Sequence, residues 1–303
     1  MNSILVHYAV RVIGGYVIVV TTVAAGVAVL QERKIWKPSS LPSLSLWGCI
    51  KVFVYNQLWM LMCLCGVILV TLKWILMLGR SDLEYDCHHF VEHGVARCCT
   101  VLLVGRVQIR GAEDLPTQKE VPAPIFIANH ASQLDVGAAY YLNQRFKWIA
   151  KQSVYYLPGV GQVMWLGGHV MIDRRTGKNQ ASVSTLFEKS KQALQAGIPM
   201  FLFPQGTRRM AEQLPFKNGA FVMAQTNQTR LIPLSMQIPR NIWNSLYPFN
   251  VLWGGSAPVI TLTVHPSVKV TGKEDLEDLK QKCMNVIYSV LPRPLVEDSR
   301  KDQ

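Results

Sequence analysis

The segment PIFIANHASQLD, residues 124–135, places His130 just after an apolar run and Asp135 five positions later. An imidazole and a carboxylate are the usual parts of a general base: the carboxylate accepts from one ring nitrogen and the other nitrogen takes a proton. On a regular helix five residues turn through about 500°, so the two side chains would point roughly 140° apart. Pairing them therefore requires a bend: a strand over Ile125 to Ala128, a turn, and Asp135 in the first turn of a helix. A second stretch, MFLFPQGTRRM (200–210), breaks an apolar run at Pro204-Gln205-Gly206 and continues into Arg208. Glycine permits a tight turn with exposed amides, and a guanidinium can fork onto a phosphate or carboxylate. In a third, HVMIDRR (169–175), Val170 to Ile172 lead into Asp173, Arg174 and Arg175. Ligands of open α/β sheets gather where strands end, so three such transitions predict one shared sheet edge.

The elements that must position these residues read as α/β. Strand-like runs fall at Val101–Ile109, Ile125–Ala128, Phe146–Ile149, Pro199–Phe203, Leu231–Ile238 and Val259–Val264, with helical periodicity between several of them. Asn179 to Ala196 is one such helix, with Gly197 as its natural terminator. Thr271-Gly-Lys-Glu274 reads as a capping box opening a last helix before Pro292. The expected fold is a central mixed sheet flanked by helices, preceded by N-terminal membrane helices.

Of the 303 residues, 50% are hydrophobic and only 17% charged. The apolar excess lies towards the N-terminus. Val12 to Leu30 is free of charge, and Leu58 to Gly79 is interrupted only by Lys73, near enough to its end to snorkel; both runs are long enough to cross a hydrocarbon core. The division expected is an anchor over 1–80 and an α/β domain over 81–303. Basic residues between the two runs place that loop in the cytosol, leaving open a hairpin in one leaflet or two full crossings. Tyr155, Tyr156 and Trp165 suit either an interfacial belt or an ordinary core. The net charge of +12 suits an anionic bilayer or phosphate-bearing ligands and leaves nucleic acid open on charge alone. Seven cysteines without a CxxC pair read as reduced, mostly buried thiols.

Taken together, the motifs resemble those of the glycerolipid acyltransferases, specifically the 1-acyl-sn-glycerol-3-phosphate (lysophosphatidic acid) acyltransferases. The resemblance is carried by Asn129-His130-x4-Asp135, the block from Lys151 to Arg174 with Pro158 and Gly161, the element Phe203 to Arg208, Lys217 within PFKNGAF, and Ile232-Pro233-Leu234. Several ordered motifs are far more specific than any one. The resemblance implies acyl transfer from acyl-CoA or acyl carrier protein to the sn-2 hydroxyl of lysophosphatidic acid, giving phosphatidic acid. It makes His130 and Asp135 the catalytic pair, with no acyl-enzyme and no nucleophilic role for Ser132. Arg174, Gln205, Gly206, Thr207, Arg208 and Lys217 would bind substrate, the cations holding its phosphate. No metal and no cofactor beyond the acyl donor are implied. The partners expected are the bilayer, lysophosphatidic acid and acyl-CoA, without nucleic acid, at the endoplasmic reticulum, a plastid or a bacterial membrane.

Gln205 stands where the family usually has Glu, which removes a charge and adds a donor. It bears on the identity of the acceptor, another lysophospholipid or glycerol-3-phosphate being the alternatives, and on a weakened lipid-binding protein as a rival. A second rival is His89-Phe-Val-Glu92-His93, a literal H-x-x-E-H zinc-protease pattern. Thr176-Gly-Lys178-Asn179 and Gly159-Val-Gly161 fall short of nucleotide-binding loops.

Overall fold

A computed structural model describes residues 46–103, 105–172, 180–208, 213–239 and 259–291, with isolated helical positions at Arg11, Ile18, Thr22 and Gly26. The first apolar run, Val12 to Leu30, and Asp173 to Arg175 therefore lie outside the described residues, apart from those isolated positions.

Seven strands form one sheet in the order β1-β7-β6-β2-β5-β3-β4. They are β1 (Arg106–Arg110), β2 (Ile125–Ala128), β3 (Lys147–Lys151), β4 (Val170–Ile172), β5 (Met200–Leu202), β6 (Leu231–Gln237) and β7 (Val259–Val264). Every neighbouring pair is parallel except β6 and β7, so the sheet is mixed, as expected. Strand β2 lies at the centre, paired to β5 and β6, and all four of its residues are buried. A strand covered on both faces needs a continuous apolar run rather than alternation, which IFIA supplies.

The pleat sends the β2 side chains to opposite sides. Ile125 and Ile127 pack on α6 (Gln180–Gln195), α7 (Gly219–Asn227) and α8 (Leu276–Ser289) through Leu194, Phe221, Cys283 and Ile287. Phe126 and Ala128 face Ala96 of α3 (His93–Leu103), Ala139 of α4 (Leu134–Ala139) and Met164 of α5 (Val160–Leu166). Burying each such large side chain contributes about 1.5–3 kcal/mol, so β2 is a firm base for the residues that follow it.

Helix α1 (Leu46–Leu76) contains a stretch, Phe53–Leu76, long and apolar enough to cross a membrane, with mean hydropathy 2.1. One face carries Tyr55, Cys63 and Val70 into a cluster with Val91, Leu134, Val163 and Ile260. The opposite face, with Leu61, Ile68, Leu69, Leu72 and Ile75, is exposed. Lys73 does not snorkel: its Nζ pairs with the buried Asp86 at 2.7 Å and lies over Phe90, because α2 (Leu83–Asp86) folds back beside it.

Two sequence expectations shift. Val101 to Leu103 end helix α3 rather than opening a strand, since Val95, Ala96 and Cys99 bury one helical face, and β1 begins at Arg106. The last helix starts at Leu276, capped by Asp275, which accepts from the amides of Glu277 and Asp278. Glu274 instead closes the preceding turn by accepting from the Thr271 and Gly272 amides.

Candidate functional site

The site forms where β2 and β5 end. Asn129 fixes the end of β2: its Oδ1 accepts from the Met236 amide at 2.7 Å and its Nδ2 donates to the Met236 carbonyl at 3.0 Å. This side-chain bridge to β6 forces the chain to turn at His130. Asp135 then enters the first turn of α4, where a carboxylate also favours the exposed amides of the helix start.

The bend brings His130 Nδ1 to 2.8 Å from Asp135 Oδ2. The same oxygen accepts from the amides of Ala131 and Ser132 at 2.7 and 2.9 Å, so this one oxygen of a fully buried carboxylate has three donors. Ser132 Oγ is engaged locally and buried, accepting from the Leu134 amide at 3.0 Å and donating to Asp135 Oδ1 at 3.5 Å. With Nδ1–H donated to Asp135, the lone pair of His130 sits on Nε2. Arg208 Nε approaches that nitrogen at 3.4 Å from an exposed side chain.

The second stretch supplies the opposite wall. Gln205, buried where β5 ends, accepts from the His130 amide through Oε1 and lies beside the Tyr288 hydroxyl. Tyr288 in turn donates to the Leu214 carbonyl at 2.6 Å. An amide suits this position because it accepts at one end and donates at the other; a carboxylate could only accept. Gly206 has φ +71, a conformation open to glycine at little cost. Its amide is not exposed as the sequence implied, because it donates to the Phe203 carbonyl at 2.9 Å. A Cβ on Gly206 would lie 2.9 Å from Lys217 Nζ, so Lys217 crosses directly over this turn. Thr207, Arg208 and Lys217 are all exposed. Arg174 lies outside the described residues.

Three features carried no sequence signal. The His130 ring stacks on Phe203 with centroids 3.9 Å apart and planes at 9°. Gln133, inside the His130–Asp135 turn, donates to Asn56 of α1 at 2.7 Å, joining the turn to the apolar helix. Glu92 lies in a buried cluster of its own, with His88, His169 and Tyr140 as partners. The H-x-x-E-H pattern is broken by this arrangement: His89 is exposed and stacks on Tyr85, and Glu92 faces His88 and His169 instead. Among the described residues no three His, Cys, Asp or Glu side chains converge on a metal position.

Of the flanking aromatics, Tyr156 and Trp165 are exposed, whereas Tyr155 packs against the core beside α5. Cys63, Cys65, Cys87, Cys98, Cys99 and Cys283 are free thiols, with Cys63, Cys87, Cys99 and Cys283 buried.

Residues 106–237 match the family model Acyltransferase. The chain is 33% identical over 227 residues to a 1-acyl-sn-glycerol-3-phosphate acyltransferase of Chlamydomonas reinhardtii, covering 73% of this chain and 63% of that one. It is 34% identical over 134 residues to the human 1-acyl-sn-glycerol-3-phosphate acyltransferase alpha, covering 43% and 45%. The chain thus spans between about half and two thirds of the length of these curated relatives. Its fold is that of the 1-acyl-sn-glycerophosphate (LPA) acyltransferase PlsC from Thermotoga maritima, with TM-score 0.62 at 18% identity, covering 80% of this chain and 95% of that one. Residues 106–237 are thus an acyltransferase domain, similar to that of the 1-acyl-sn-glycerol-3-phosphate acyltransferases.

Proposed function

We propose that this protein is an O-acyltransferase that moves an acyl chain from a thioester, acyl-CoA or acyl carrier protein, to the sn-2 hydroxyl of lysophosphatidic acid, forming phosphatidic acid. The observation that carries the reading is the His130–Asp135 pair at 2.8 Å, with its second nitrogen turned towards exposed Arg208. An alcohol is a poor nucleophile at neutral pH, and a base within hydrogen-bond reach removes that obstacle. His130 Nε2 takes the hydroxyl proton as the oxygen bonds to the thioester carbonyl carbon. The carbon–sulfur bond then breaks, and the departing thiolate recovers the proton from the imidazolium. Asp135 holds the tautomer and stabilises the imidazolium. Arg208, Lys217 and Arg174 are the cations that would bind the acceptor's phosphate, framed by Gln205, Gly206 and Thr207.

The named relatives support lysophosphatidic acid as acceptor. The exposed apolar face of α1, with Trp165 and Tyr156, supports a bilayer as partner. An anchor over 1–80, a catalytic domain over 81–303, no cofactor beyond the donor and an endoplasmic reticulum location complete the proposal. Purified protein with one acyl-CoA and a panel of lysophospholipids, followed by thiol release, tests it. Release confined to lysophosphatidic acid is expected. Release with another lysophospholipid would reassign the acceptor, and no release from folded protein would favour a lipid-binding role.

A further inference from the structure

The stack on His130 does not end at Phe203. The opposite neighbour of Phe203 is Trp148 on β3, with ring centroids 5.6 Å apart and planes at 17°. Trp148 is buried and tied down at two points. Its indole Nε1–H donates to the Tyr140 hydroxyl at 2.8 Å, and its backbone amide donates to His169 Nδ1 at 2.9 Å. Both tethers lead to one carboxylate. Tyr140 donates to Glu92 Oε2 at 2.8 Å, and His169, whose Nδ1 is already an acceptor, donates through Nε2 to Glu92 Oε1 at 2.7 Å. Glu92, Tyr140, Trp148 and His169 therefore close a ring of hydrogen bonds, all of it buried. Such a ring fixes both the position of β3 at Trp148 and the rotation of the indole plane, which a purely apolar contact would leave free to adjust.

We infer that Phe203 and Trp148 are positioning residues for the His130 imidazole, held in place by the Glu92 carboxylate through Tyr140 and His169. Asp135 fixes one edge of the imidazole, and a hydrogen bond along an edge still lets the ring swing about it. The aromatic face removes that freedom, so Nε2 stays aimed at the acceptor. The inference rests on His130 being the base, and the experiment separates the two.

The full-length protein in detergent micelles, with histidine labelled at Cε1, gives one resonance per ordered His, and His130→Ala assigns His130. Phe203→Leu removes the ring current on that imidazole, and Tyr140→Phe and Trp148→Phe loosen the stack from behind. Each should move the His130 resonance while leaving His265, hydrogen-bonded to Ser235, in place. In the acyl-transfer assay Phe203→Leu should lower kcat about tenfold with both KM values within about twofold, since misaligned reacting groups cost rate rather than binding. Phe203→Tyr, which keeps the ring, should restore both readouts. An unmoved His130 resonance in Tyr140→Phe and Trp148→Phe would overturn the inference, as would a Phe203→Leu variant whose KM rises while kcat holds. Should Trp148→Phe fail to fold, Tyr140→Phe alone decides. Full activity in His130→Ala would reject the base itself, and the resonance shifts would still report whether the stack positions the ring.

Discussion

Two of the His–carboxylate pairs among the described residues are alike at first inspection: His130 to Asp135 and His88 to Glu92 are each 2.8 Å apart, and each carboxylate accepts from further donors. They differ in the second ring nitrogen. Among the described residues, His130 Nε2 meets only the long approach of exposed Arg208. His88 Nε2 lies inside the fold, 3.2 Å from the Gln144 carbonyl and 3.3 Å from His93 Nε2. A pair becomes a base only where a substrate can reach the lone pair; where the protein takes both nitrogens, the same chemistry becomes a brace. Burial does not separate the two carboxylates, since Asp135 and Glu92 are both enclosed. On its own it would raise the Glu92 carboxyl, but His169 and His88 outweigh it and hold the group well below its ordinary range.

The contrast predicts opposite losses. His130→Ala should cut turnover by roughly two orders of magnitude or more while the thermal midpoint barely moves, measured by thiol release beside a melting curve. Near-normal turnover would erase the distinction. Glu92→Ala should instead cost about 3–5 kcal/mol of stability in denaturant titration, since it strands buried donors. Arg208→Ala tests the open side. Loss of a charge-assisted contact of about 1.5–3 kcal/mol should raise the acceptor KM or lower kcat/KM roughly 10 to 150-fold, with the donor KM little changed. Arg208→Lys should recover part of it.

Acid sharpens the comparison on the buried side. Burial, followed by the neighbouring His88 charge, pushes His93 down to about 4 from its ordinary 6.5. The folded chain therefore binds this proton less readily than the unfolded one. That stability is intact above pH 6.5 and is lost as pH falls towards 4, with Glu92 extending the loss below 4.5. The denaturant midpoint, followed from pH 7 to 4, should fall accordingly, and a flat profile would contradict the buried brace. The smallest effect is expected for Gln205→Glu. The carboxylate still accepts from the His130 amide but loses the donor facing Tyr288, so acceptor choice should hold and activity change by less than about threefold. A switch of acceptor would instead make Gln205 a specificity residue.

Much of this was readable in the chain. Apolar runs of four to seven residues between turn formers located the central strands, because β2 and β6 are buried along almost their whole length. The five-residue spacing of His130 and Asp135 required a bend, and the strand-to-helix turn supplies one. What stayed hidden depends on partners distant in sequence. Nothing local shows that Phe203 will lie on His130, or that Gln205 will reach a hydroxyl 83 residues later in α8. Lys73 misled for the same reason, since its partner Asp86 becomes visible only once α2 folds back. The H-x-x-E-H match failed because a π-helical segment, Cys87–Glu92, alters which side chains share a face.

The hydrogen bond from Gln133 to Asn56 carries a kinetic consequence. It ties the turn that bears His130 to a helix whose outer side is a continuous apolar stripe, so the reactive nitrogen keeps a fixed height above whatever that stripe rests on. On the bilayer proposed as its partner, a site held at that height would sample its substrates in two dimensions. Its saturation would then follow the mole fraction of acceptor within the surface rather than the amount per volume, and diluting the acceptor with inert lipid would slow the reaction even when its total quantity is unchanged.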